Sequence, residues 1–283
     1  MKPLAWITGA GGFLGGYLVR AASSAAPEWR VHGLTRNELD LTDSTAVRAL
    51  FEHERPRLVI HCAALSRADD CQKHPDLARR VNVEVTARLA ELAADIPFVL
   101  LSTDLVFDGR KGHYVESDPV NPLSLYGETK AEAEQVVLKN PGHLVLRTSL
   151  NAGVSSDGGR SFSERLRAAW EAGQTTTLFT DEFRSPIPAA VTARAAWHMA
   201  LAGHAGLYHL GGRERLSRWE IARLLAAHWP GVKPRLQPGS LRNYQGPPRP
   251  ADTSLCCEKI QACLPFALPR FSEWLETHPD EPL

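Results

Sequence analysis

Hydrophobic positions along this 283-residue chain recur in two alternating rhythms. Short, nearly continuous apolar runs occur at 4–7, 58–63, 98–101 and 144–146, with a weaker one at 30–34. Such runs suit strands of a parallel sheet buried on both faces. Between them lie stretches of helical period. Phe13, Leu14, Tyr17, Leu18 and Ala21 share one face, as do Val47, Leu50 and Phe51. Val81, Val85, Leu89 and Leu92 do the same across a long helix expected over 76–94. Asn82 inside that helix reads either as a surface residue or as a side chain tying down neighbouring backbone. After 150 the alternation loosens. A loop over 153–159, a helix over 163–172, a strand at 176–179, a helix over 189–202 and a strand at 207–210 are expected. Ser217 and Glu220 then form a capping box for a helix burying Ile221, Leu224 and Leu225. Proline and glycine make 230–250 loop or edge structure, and a last pair of short helices is expected within 255–277. The sum is an α/β chain with a doubly wound parallel sheet, the Rossmann arrangement. Residues 1–150 form its nucleotide-binding domain. Residues 151–283 form a small C-terminal substrate-binding lobe that returns strands to the sheet.

Composition sharpens this picture mainly by exclusion. Thirty-two basic and 32 acidic residues give a formal net charge of +0, so no basic excess points to nucleic acid or a membrane surface. No apolar run approaches the ~20 residues that span a bilayer, and the amino terminus enters a strand at once. A cytoplasmic protein is expected. Five cysteines, Cys62, Cys71, Cys256, Cys257 and Cys263, form no C-x-x-C pair, and the histidines show no metal-ligand spacing, so neither a disulfide framework nor a metal is expected.

Chemistry enters with the glycines at 9, 12 and 15. Gly9 allows a sharp turn at the strand end, Gly12 lets backbone approach a phosphate, and Gly15 lets helix pack on strand. The helix that follows points free N–H groups at the turn, which suits a pyrophosphate. Where an NAD site places an acid after the second strand, this chain carries Leu34-Thr35-Arg36. The Arg36 guanidinium suits a 2′-phosphate, so NADP(H) is the expected cofactor, with NAD(H) second. Ala63 and Ala64, ending the third strand, are small enough to lie against it.

The fourth strand runs into Ser102-Thr103-Asp104, at the edge where open parallel sheets bind ligands. The next helix carries Tyr126 and Lys130 on one face. Reduction of a carbonyl needs a hydride donor and an acid for the developing alkoxide. An ammonium about 5 Å from a phenol, at an effective dielectric of about 20, favours the phenolate by about 3 kcal/mol, or roughly two pKa units. Tyr126 is therefore expected to act as general acid near neutral pH, with Lys130 lowering its pKa and holding ribose hydroxyls, and Thr103 bonding the substrate carbonyl.

These segments together resemble the extended short-chain dehydrogenase/reductases, and within them the dTDP-4-dehydrorhamnose reductase-like proteins. The matching pieces are TGAGGFLG at 8–15, LDLTD at 39–43, VIHCAA at 59–64, VNVEVTARLAE at 81–91, STDLVFDG at 102–109, YGETK at 126–130 and LRTS at 146–149. Weaker matches follow at 181–186, 206–212 and 249–255. The resemblance implies that Gly9, Gly12, Phe13 and Leu14 bind the pyrophosphate, that Asp40 and Leu41 flank the adenine, and that Ala63 and Ala64 line the cofactor. It implies a catalytic triad of Thr103, Tyr126 and Lys130, and a nucleotide-linked 4-keto sugar as the small-molecule partner. Thr103, Asp104, Asn151 and Arg184 are the expected substrate contacts, and a homodimer is compatible with the reading. Two positions depart from the family's pattern. Leu150 stands where rhamnose-forming reductases usually carry tryptophan, and Arg184 falls in what is usually a Gln-x-Gly-x-Pro stretch. Both leave the cofactor chemistry intact and leave the sugar open.

Two other readings belong beside the reductase. Dehydratases of this fold place Asp-Glu after the catalytic threonine, whereas this chain has Asp104-Leu105; an epimerase uses the same triad. The β subunit of methionine adenosyltransferase resembles the same branch and acts as a partner protein, which needs no turnover.

Overall fold

The computed structural model describes residues 2–283. Its first half alternates strand and helix: β1 (Leu4–Thr8), α1 (Phe13–Ala25), β2 (Arg30–Leu34), α2 (Ser44–Glu54) and β3 (Leu58–His61). Two short helices follow, α3 (Ala68–Lys73) and α4 (Pro75–Arg79), then a π turn (Arg80–Glu84) that continues into α5 (Val85–Leu92). β4 (Phe98–Thr103), α6 (Leu125–Val137) and β5 (Leu144–Thr148) complete this half. The second half contains β6 (Asn151–Ala152), α7 (Phe162–Glu171), β7 (Thr175–Phe179), β8 (Phe183–Arg184), β9 (Ile187–Pro188), α8 (Ala189–Leu201) and β10 (Gly206–Leu210). It ends with β11 (Leu216–Ser217), α9 (Arg218–His228), β12 (Arg235–Gly239), α10 (Glu258–Gln261) and α11 (Phe271–Thr277).

Six strands form one sheet in the order β10-β5-β4-β3-β1-β2, and every pairing in it is parallel. The apolar runs read as strands because both faces are covered. Ala5 and Ile7 of β1 join Leu18 of α1 and Trp197 of α8 in one buried cluster. Leu4 and Trp6, pointing the other way, join Val47, Leu89 and Val137 from α2, α5 and α6. This alternation follows from the two-residue period of a strand. The strand order reverses direction at β1, between β3 and β2, which opens a crevice over their carboxyl ends.

The second half shares the first half's core. Trp197 of α8 is fully buried and donates its indole N–H to the Leu18 carbonyl of α1 at 2.9 Å, and β10 forms the sheet edge beside β5. A separate cluster, including Trp170, Ile221, Leu225 and Phe271, packs the outer lobe. The expected capping box of Ser217 with Glu220 is formed, and Ser161 forms a second with Glu164.

Several elements differ from expectation. The helix expected over 76–94 is interrupted by the π turn, and α3 precedes it. The proline- and glycine-rich segment, expected as loop or edge structure, does carry an edge strand, β12, paired in parallel with β7 alone. Among the described residues no helix is long and apolar enough to cross a membrane, and no group of three histidine, cysteine or acidic residues is placed to hold a metal.

Candidate active site

The glycine turn sits at the carboxyl end of β1. Gly9 has φ +69° and faces β3 so closely that a Cβ would come 2.7 Å from the Ala63 nitrogen. A Cβ on Gly15 would strike the Gly9 carbonyl at 2.1 Å, and one on Gly12 would approach it at 2.9 Å. All three positions therefore need glycine. Gly12 caps α1 without a side-chain acceptor, so the first-turn N–H groups stay open to an anion. Phe13 and Leu14 begin the helix and pack partly into the core. A dinucleotide pyrophosphate fits this cradle.

Beside it, the end of β2 is held to the turn by the Ala10 amide on the Leu34 carbonyl at 3.1 Å. Arg36 follows, exposed. Asp40 accepts the Thr42 amide and hydroxyl at 2.9 and 2.8 Å, bonds that lower its pKa, with a smaller contribution from Arg36. Leu41 beside it is half-buried. One residue here escaped the sequence reading. Glu38 accepts the Thr35 hydroxyl and amide at 2.7 and 2.9 Å, which lower its pKa. The acid nearest the end of β2 is thus Glu38, two residues beyond Arg36, and it is bonded back to Thr35.

The end of β3 carries Ala63 and Ala64, both half-buried. Asn82, on the π turn, resolves in favour of a backbone tie. Its side chain accepts the Leu65 amide at 2.8 Å and donates to the Leu65 carbonyl at 3.1 Å and to Thr129 of α6 at 2.9 Å. His61, also unassigned from sequence, is fully buried between Thr8 at 2.6 Å and Thr86 at 3.0 Å. Burial, helped by the nearby Lys130 charge, pushes its pKa down to about 3, so the ring is neutral.

Thr103 ends β4, and its hydroxyl accepts the Leu105 amide at 3.2 Å. Tyr126 and Lys130 stand one turn apart on α6. Ser124 caps that helix, accepting the Gly127 amide at 3.2 Å. Lys130 is 2% exposed and donates to the Leu101 carbonyl of β4 at 2.8 Å. Burial lowers its pKa to about 8, against a raising effect of Glu134. The Tyr126 phenol shifts upward, and this corrects the sequence expectation. Burial dominates, the Asp104 carboxylate adds to it, and the Thr103 side chain opposes both with a smaller effect. Desolvation of the phenolate sets this direction.

The other expected substrate contacts are engaged within the protein. Asp104 is 4% exposed and accepts Ser149 at 2.8 Å and Thr253 at 2.9 Å, with Arg184 at 3.7 Å. Asn151 is bonded to Thr148, to the Ser149 carbonyl and to Thr192, at 2.9, 3.0 and 2.6 Å. Arg184 donates to the Phe183 carbonyl and to Glu182, at 2.7 and 2.9 Å. Glu182 is fully buried and also binds Arg218 at 2.9 Å and Arg249 at 2.7 Å. Burial alone would raise its pKa, but the three guanidiniums bring it down to about 2. Asn151 and Arg184 thus make all of these bonds within the protein. Arg218 and Arg249, which the sequence reading missed, are the members of this network that reach partway to solvent.

Comparison with known proteins places this arrangement. The family model described as the RmlD substrate binding domain matches residues 4–281. A probable low-salt glycan biosynthesis reductase of Haloferax volcanii is 33% identical over 227 residues, covering 75% of this chain and 76% of that protein. The methionine adenosyltransferase 2 subunit beta of Xenopus laevis is 30% identical over 276 residues, covering 91% and 81%. Among solved structures, a dTDP-4-dehydrorhamnose reductase from Bacillus anthracis in complex with NADP superposes with a TM-score of 0.89 at 25% identity, covering 98% of both chains.

Proposed function

The chain belongs to the RmlD substrate-binding domain family, and from that premise we propose that it is an NADPH-dependent reductase of a nucleotide-linked 4-keto deoxysugar, working in the cytoplasm. One observation carries the reading. Tyr126 stands beside Thr103 and one turn from a buried Lys130, at the crevice edge of a sheet whose first turn has the shape to take a pyrophosphate. The nicotinamide supplies the hydride. Thr103 orients the carbonyl oxygen by hydrogen bonding. Tyr126, a phenol that is protonated at neutral pH, gives its phenolic proton to the forming alkoxide. This polarity suits reduction, in which the phenol starts as the acid. Lys130, fixed to the Leu101 carbonyl, presents its remaining protons toward the ribose hydroxyls. Arg36 takes the 2′-phosphate, and Asp40 and Leu41 flank the adenine.

The assay is oxidation of NADPH and NADH against a panel of nucleotide 4-keto sugars that includes the dTDP-linked 4-keto rhamnose precursor. Oxidation with one member and preference for NADPH support the reading; tight dinucleotide binding with no turnover on any member contradicts it. That second result would favour a subunit role, a reading that rests on the 30% identity to the methionine adenosyltransferase subunit over most of this chain.

A further inference from the structure

The loop over 153–160 belongs to the second half of the chain but lies against the glycine turn of the first. Its start is fastened to α1: the Val154 amide donates to the Tyr17 hydroxyl at 3.0 Å. Its end is fastened by Glu164, which is 8% exposed and accepts the Ser155 amide at 2.8 Å, the Arg160 amide at 3.0 Å and the Ser161 amide at 2.8 Å. Arg165 adds a bond to the Arg160 carbonyl at 2.8 Å. The backbone that carries the Arg160 side chain is therefore held at both ends.

That side chain reaches the cofactor cradle. An Arg160 Nη1 lies 4.0 Å from the place a Cβ on Gly12 would occupy. Gly12 is the position whose missing side chain lets a phosphate approach the backbone. The guanidinium's present partner is Asp157, and both side chains of this pair are about half exposed. An exposed ion pair of this kind holds weakly, whereas a guanidinium on a phosphate gains two parallel charged hydrogen bonds.

We propose that Arg160 is a diphosphate ligand, reaching from the second half of the chain to close over the dinucleotide pyrophosphate at Gly12 and exchanging Asp157 for phosphate oxygens. The inference rests on the dinucleotide reading above. A nucleotide sugar carries a diphosphate too, but the approach to Gly12 favours the dinucleotide.

The test is a calorimetric titration of the full chain and its Arg160→Ala and Arg160→Lys variants with NADPH, with NADH and with dTDP as separate probes. Arg160→Ala should weaken NADPH and NADH alike, by about tenfold or more, because the pyrophosphate is common to both. Their ratio and the dTDP affinity should stay unchanged, and Arg160→Lys should recover part of the loss. Because the side chain is exposed, the variant should melt as the parent does. Unchanged dinucleotide affinity would overturn the proposal. So would a loss confined to NADPH, which would make Arg160 a 2′-phosphate ligand, or a loss confined to dTDP. A parent protein that binds neither dinucleotide would overturn the underlying reading instead, and the inference with it.

Discussion

Lys130 donates to the Leu101 carbonyl at 2.8 Å, which pins the ammonium between α6 and the last turn of β4 before Thr103. The lysine is thereby buried next to the strand that presents the substrate-orienting threonine. Burial lowers its pKa to about 8, so its protonation changes close to the working pH range.

That shift has a defined sign. Below about 8 Lys130 is an ammonium and donates charge-assisted hydrogen bonds to ribose hydroxyls; above it the group is a neutral amine and a much weaker donor. Dinucleotide affinity should therefore fall as pH rises, by about tenfold between roughly pH 7 and pH 9, and the fall should vanish in Lys130→Met. Fluorescence titration across this range checks it. A flat profile in the parent protein would remove Lys130 from cofactor binding.

Tyr126→Phe deletes the proton donor and little else, since the ring stays in place. Reduction should slow by about 10²-fold or more while dinucleotide affinity stays within a factor of about two. Steady-state rates alongside a binding titration separate the two effects. Near-parental turnover would mean that another group supplies the proton.

Arg36→Ala should weaken NADPH by about tenfold and leave NADH nearly unchanged, since only NADPH carries the 2′-phosphate. The Glu38 carboxylate, already bonded to Thr35, adds a comparison: Glu38→Gln should raise NADPH affinity by removing a negative charge near that phosphate. Equal losses for both dinucleotides in Arg36→Ala would place the arginine elsewhere.

Much of this site was legible in the sequence, and the parts that were not share a physical cause. The glycines at 9, 12 and 15 were readable because their need is local: a positive φ and backbone packed too close for a Cβ. The strands were readable because burial on both faces makes them continuous apolar runs. α3 and the π turn were not, being too short to show a period. Asn151 and Arg184, the expected substrate contacts, are also bonded into the frame, by partners up to 66 residues away. No local spacing encodes such pairing. The direction of the Tyr126 shift was likewise hidden. The four-residue spacing shows that a lysine is near, whereas the depth of burial and the presence of Asp104 emerge only from the folded chain.

Glu182 shows what that hidden framework contributes. Glu182→Gln leaves Arg184, Arg218 and Arg249 without their shared counter-charge and should cost about 3–5 kcal/mol. In the parent protein the carboxylate is held at about 2 against an ordinary 4.5. Its contribution, about 3 kcal/mol, is fully present above pH 4.5 and is lost as pH falls toward 2. Thermal melts of both proteins between pH 7 and about pH 3 check this: the difference between them should shrink on acidification. A constant difference would show that the carboxylate charge is not what holds the cluster.

Label transfer follows the hydride itself. The protein is given NADPH deuterated at the nicotinamide C4 and the dTDP-linked 4-keto rhamnose precursor, and the product sugar is read by mass spectrometry. One deuterium is expected at sugar C4 in the parent protein, and almost none in Tyr126→Phe at equal cofactor occupancy. Bound cofactor with no labelled product from this or any other nucleotide 4-keto sugar would contradict it.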